Sequence, residues 1–119
     1  MSPDREIRDY LEDILQAIED AREFTRGMDL DAFTADRKTV SAVVRSLEVI
    51  GEAVKKIPTE LKTLRPDVPW TEAAGMRDKL IHEYFGVDLE TVWQTVQDDL
   101  GAIQRAVAYL LHSLDSSPR

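Results

Sequence analysis

Apolar residues recur along most of this chain at steps of three and four, the period of helices packed on one side. Ile7, Leu11, Ile14, Ile18, Ala21 and Phe24 form the first such stripe. Ser2-Pro3-Asp4 opens it as N-cap, first helical proline and first-turn acid, and Arg26-Gly27 closes it. Residues 28–35 read as a connector in which Leu30 and Phe33 can pack, with Thr34 or Asp36 capping the next helix. That second helix carries Val40, Val43, Val44, Leu47, Ile50, Val54 and Ile57, and Pro58 ends it. One short helical turn is expected over Thr59 to Leu64, then Arg65-Pro66-Asp67-Val68-Pro69 forms a loop. Trp70-Thr71-Glu72 reads as a hydrophobic residue, an N-cap and a first-turn acid. The third helix turns Ala73, Met76, Leu80 and Ile81 inward and ends near Tyr84. Asp88 opens a fourth, whose stripe is Leu89, Val92, Trp93, Val96, Leu100, Ile103, Val107, Leu110 and Leu111.

No segment alternates like a strand, and no internal repeat is visible. The pattern predicts an all-α fold: an up-and-down bundle of four main helices plus a short helical turn. The domain is expected to span residues 1–112, with 113–119 as a flexible polar tail. Val44, Ile81 and Phe85 exceed what one buried stripe per helix requires. Such two-sided helices in a small bundle point to a homodimer in which a second subunit covers one face.

At 119 residues the chain suits one domain with a real core. It has no cysteine, which removes disulfides, thiolate nucleophiles and cysteine-ligated metals. With a charged N-terminus and no long apolar run, it reads as a cytoplasmic protein. The net charge of −8 argues against a broad, sequence-independent nucleic-acid footprint. The charge is uneven: residues 1–36 hold eleven acids against four basic residues. The middle of the chain supplies Lys55, Lys56, Lys62, Arg65, Arg77 and Lys79, which leaves room for a local basic site.

The densest chemistry lies at the end of the third helix, where Arg77, Asp78, His82 and Tyr84 stand close in sequence. Histidine titrates nearest neutrality, and arginine is a permanent fork suited to phosphate oxygens. Brought to one phosphate, Arg77 and His82 would suffice for a small ribonuclease site. Each residue also has an ordinary structural reading: Arg77 as a solvated helix residue, His82 as a partner of the helix dipole, Tyr84 as half-buried packing. His112 reads as a surface residue, and Trp70 and Trp93 as core or interface. Gly51 marks close helix packing, and Glu48 and Glu52 belong to a surface charge network with Lys55 or Lys56. Two histidines and no cysteine make no metal constellation, so no cofactor is expected.

Arg77-x-x-x-x-His82-x-Tyr84 resembles the motif of the HepT-like branch of the HEPN domain family. The resemblance extends to Arg45-Ser46-Leu47-Glu48-Val49-Ile50-Gly51-Glu52-Ala53, to Val68-Pro69-Trp70, and to Phe85-Gly86-Val87-Asp88 followed by Val92-Trp93. It covers roughly residues 8–111. It implies a helical homodimer that cleaves RNA without a metal ion and acts as the toxin of a toxin–antitoxin pair. The implied antitoxin is a nucleotidyltransferase of the MNT type, which transfers AMP from ATP to the tyrosine. On this chain Arg77 and His82 would be catalytic, Asp78 supporting, and Tyr84 the AMPylated residue. The alternative is a non-catalytic HEPN module that binds nucleotide or docks a nucleotidyltransferase.

On an ideal helix, five residues leave Arg77 and His82 about 140° apart around the axis. Asp78 and His82, four apart, share a face and can hydrogen-bond. Two third helices packed across a twofold axis would bring one subunit's arginine to the other's histidine, making the dimer a condition of the chemistry.

Overall fold

The computed structural model describes residues 3–75 and 88–116. Every described secondary-structure element is helical, in agreement with the hydrophobic pattern. α1 spans Pro3–Phe24, α2 Leu30–Ala35, α3 Arg37–Lys55 and α4 Thr59–Lys62. α5 is described over residues 70–75. α6 spans Leu89–Gln94 and passes through a π turn at Thr95–Asp99 into α7, Leu100–Ser116.

The core forms where the stripes meet. α1 packs along α3 on one side and α7 on the other. Leu11, Ile14 and Ile18 of α1 are fully buried against Val43, Leu47, Ile50 and Val54 of α3 and Leu100, Val107 and Leu110 of α7. α2 closes one end against α3 and α6. Its Phe33 is fully buried and meets the Trp93 ring at 5.4 Å between centroids, tilted by 40°.

The helix ends follow from local chemistry. Gly27 leaves α1 at φ +76°, a left-handed turn that glycine adopts without steric cost. Asp29 caps α2 by accepting from the Ala32 amide at 2.8 Å. Asp36, rather than Thr34, caps α3: its carboxylate accepts from the Thr39 amide at 3.1 Å and the Thr39 hydroxyl at 2.8 Å.

Three boundaries and one burial differ from the sequence reading. The connector over 28–35 contains the short helix α2, because Asp29 supplies a cap and Phe33 a buried anchor. Thr71 is not an N-cap: the helix already includes Trp70, and the Pro69 carbonyl accepts from the Ala73 amide at 3.0 Å. The last helix runs to Ser116, into the segment expected as a tail, with Leu114 packed against the core and Arg8 paired with Asp115. Val44 is no surplus residue, since it is 6% exposed within the single chain and needs no second subunit to cover it. Ile81 and Phe85 lie outside the described residues.

Candidate active site

Arg77, Asp78, His82 and Tyr84 all lie in residues 76–87, outside the described residues. What the fold shows is how the chain is held on either side of them. Before them, Trp70 is 9% exposed, and its indole N–H donates to the Arg65 carbonyl at 2.9 Å and the Lys62 carbonyl at 3.2 Å. This one ring ties the start of α5 to the loop that precedes it. Val68 and Ala73 are buried on either side, which fixes the entry into the helix by packing as well as by hydrogen bonds.

After them, Asp88 caps α6. Its carboxylate accepts from the Thr91 amide at 3.1 Å and from the Thr91 hydroxyl at 2.6 Å. Val92 is buried one turn later and Trp93 packs on Phe33. The motif-bearing segment is therefore bracketed by two anchored points, a buried indole and a charged cap. Both tryptophans serve the core, as expected, rather than standing free as stacking platforms.

The loop before α5 has its own electrostatics. The Arg65 guanidinium donates to both Asp67 oxygens, at 3.0 and 2.8 Å. This pairing holds the Asp67 carboxyl below the usual carboxylate range and raises Arg65 further. The same guanidinium lies over the Tyr109 ring, 5.4 Å from its centroid. Among the described residues no cluster of three or more histidine, aspartate or glutamate side chains could hold a metal ion. His112 is exposed on α7, as expected.

α1 and α3 leave an open groove between them. One end, of about 360 Å³, is lined by Asp13, Asp20, Phe24, Arg45 and Val49 among others. The other, of about 210 Å³, is lined by Tyr10, Glu48, Glu52 and Lys56 among others. Glu48 and Glu52 thus sit on a charged surface of mixed sign, as their spacing suggests. No helix among the described residues is long and apolar enough to cross a membrane.

Comparison with known proteins gives a consistent picture. The family model described as ribonuclease HepT-like matches residues 14–110, a span that includes Arg77, His82 and Tyr84. A protein of Thermococcus cleftensis described as a probable ribonuclease HepT is 53% identical over 100 residues, covering 84% of this chain and 91% of its own length. A protein of Methanocaldococcus jannaschii described as a candidate RNase is 45% identical over 113 residues, covering 95% of this chain and 97% of its own. Another so described, from Caldanaerobacter subterraneus, is 46% identical over 104 residues, covering 87% and 93%. No solved structure matches.

Proposed function

The chain belongs to the ribonuclease HepT-like family, and we propose that it is an RNA endonuclease working through Arg77 and His82. The observation that carries this reading is the family match across residues 14–110, joined to an intact arginine–histidine pair within that span.

The chemistry needs only this chain and the RNA. The ribose 2′-oxygen attacks the adjacent phosphorus, forming the O2′–P bond as the P–O5′ bond breaks. His82 takes the 2′-hydroxyl proton or supplies one to the departing 5′-oxygen, in the general acid–base role. Arg77 stabilises the charge growing on the phosphoryl oxygens. Asp78, four residues before His82, would share its face on an ideal helix and orient the imidazole. The products are a 2′,3′-cyclic phosphate and a 5′-hydroxyl, and the reaction proceeds without a metal ion. DNA lacks the attacking hydroxyl and is not a substrate.

In this reading the chain is the toxin of a toxin–antitoxin pair. An MNT-type nucleotidyltransferase transfers AMP from ATP to the Tyr84 hydroxyl, forming the O–P bond and releasing pyrophosphate. The added phosphate places negative charge and bulk two residues from His82, which repels RNA. The active form is a homodimer, because an ideal helix would set Arg77 and His82 about 140° apart and so favour a site shared between two subunits.

The test is cleavage of a total RNA pool in EDTA by the wild type, with Arg77→Ala and His82→Ala beside it. Each variant is expected to lose about 100-fold or more of the rate. Equal cutting by all three proteins would overturn the assignment.

A further inference from the structure

Although residues 37–119 are nearly balanced, at twelve acids to eleven basic residues, their cations are not evenly placed. Gly101, Arg105 and Tyr109 follow one another at four-residue steps along α7 and so share a face. Two guanidinia converge over the first of them. A Cβ on Gly101 would stand 3.3 Å from an Arg22 nitrogen and 3.4 Å from an Arg105 nitrogen. A side chain here would press on both forks, and glycine leaves them room across the helix.

Arg22 reaches there from α1 and donates to the Gln104 side-chain oxygen at 2.5 Å. That partner is a neutral amide, so the bond orients Arg22 without cancelling its charge. Both Arg22 and Arg105 are exposed. Further along, Tyr109 is 47% exposed with the Arg65 guanidinium over its ring. Asp67 is one acid beside this surface; it is paired to Arg65, and Arg105 also lowers its pKa through charge.

We propose that the Arg22–Arg105 pair and Tyr109 form a path for single-stranded RNA, with a phosphate at the arginines and a base stacked against the tyrosine. Forked guanidinia suit phosphate oxygens, and an exposed aromatic ring accepts any base. The face from Gly101 to Tyr109 is about 12 Å long. That exceeds the ~3.4 Å rise of a stacked strand several times over, so phosphate and base contacts belong to different nucleotides.

The path reaches the start of α5 through Arg65. Its guanidinium lies over one face of the Tyr109 ring while its carbonyl holds the indole of Trp70, the first residue of α5. RNA drawn along α7 thus meets the chain at the start of α5, the helix that precedes Arg77 and His82 in the sequence. The role is one of substrate binding, and it rests on the reading of the chain as a ribonuclease.

The experiment measures two quantities on the full chain. One is the affinity for a fluorescent, uniformly 2′-O-methylated oligoribonucleotide, which the proposed chemistry cannot cut. The other is the KM and kcat for the unmodified oligonucleotide. The double variant Arg22→Gln/Arg105→Gln is expected to bind at least tenfold more weakly, with a shallower dependence on salt. Tyr109→Leu is expected to weaken binding at least fivefold, and Tyr109→Phe to restore it. Both losses fall on KM rather than kcat.

Unchanged affinity and salt dependence in variants with the wild-type circular dichroism spectrum would overturn the path, leaving the catalytic reading intact if the wild type cuts. An equal loss of binding to a poly-glutamate probe would also overturn it, by assigning the surface to acidic protein. A wild type that cuts no RNA, with binding still lost in the variants, would overturn the catalytic reading and uphold the path.

Discussion

At the scale of single residues, one carboxylate opens α3, the longer of the two long helices that pack on α1. Asp36 is held below its ordinary pKa of 3.8, first by the Thr39 amide and then by the Thr39 hydroxyl; desolvation opposes them, and Lys38 adds a lesser lowering. A depressed folded-state pKa stabilises the fold above the unfolded value, and that contribution is lost as pH falls through the folded value. Asp36→Ala is therefore expected to lower Tm by several degrees at neutral pH, and the gap to wild type should close on acidification below 3.8. Thermal melts of both proteins from pH 7 to pH 3 provide the check. Gly27→Ala would force a side chain to φ +76° and should cost about 1–2 kcal/mol, measurable by urea unfolding. Both residues were visible in the sequence: an aspartate before an apolar stripe and a glycine after one. Trp70 was only partly so. Its burial fits its place beside Pro69, but its bonds to the Lys62 and Arg65 carbonyls depend on how the 63–69 loop folds back. No local spacing encodes that return.

At the scale of elements, the hydrophobic period located every long helix described, since burial of a stripe is what selects the helix. It did not reveal the π turn at Thr95–Asp99. The cause is legible afterwards. Val92, Val96 and Leu100 follow at successive steps of four, which drift by about 40° each around an ideal helix. A turn with i→i+5 bonding is wider and takes up that drift, so Val96 and Leu100 both stay buried, at 2% and 0% exposure. Short elements were misread for a related reason. α2 has too few residues to show a period, and its cap and single buried phenylalanine determine it. α3 supplies the plainest energetic test. Leu47 is fully buried between α1 and the rest of the core, so Leu47→Ala should cost about 2–5 kcal/mol in urea unfolding. For a domain whose total stability is about 5–15 kcal/mol, that is a large share.

At the scale of the whole molecule, the question is how one acidic chain handles a polyanion. The sequence carries its negative charge chiefly in residues 1–36, on α1 and the start of the bundle. The fold then gathers Arg22, Arg65 and Arg105 from three separate parts of the chain toward the same stretch of α7. That gathering was not legible beforehand, because the residues share a surface only once α1 and the 63–69 loop pack on α7. The proposed catalytic pair, by contrast, was named from the sequence motif and rests on family membership, as residues 76–87 lie outside the described structure. If the site is shared between subunits, mixing inactive Arg77→Ala and His82→Ala proteins should restore part of the activity, since some mixed dimers contain one intact arginine–histidine site. A mixture as inactive as its components would place both groups on one subunit.

The central claim is that this chain cuts RNA by attack of the neighbouring 2′-hydroxyl, and the 3′ ends of the product test it most directly. A defined oligoribonucleotide cut in EDTA should yield fragments ending in 2′,3′-cyclic phosphate, and the same oligonucleotide with 2′-deoxyribose at the cut position should survive. Fragments with plain 3′-hydroxyl ends, or cleavage of the deoxy-substituted strand at an unchanged rate, would contradict the mechanism and the roles given to Arg77 and His82.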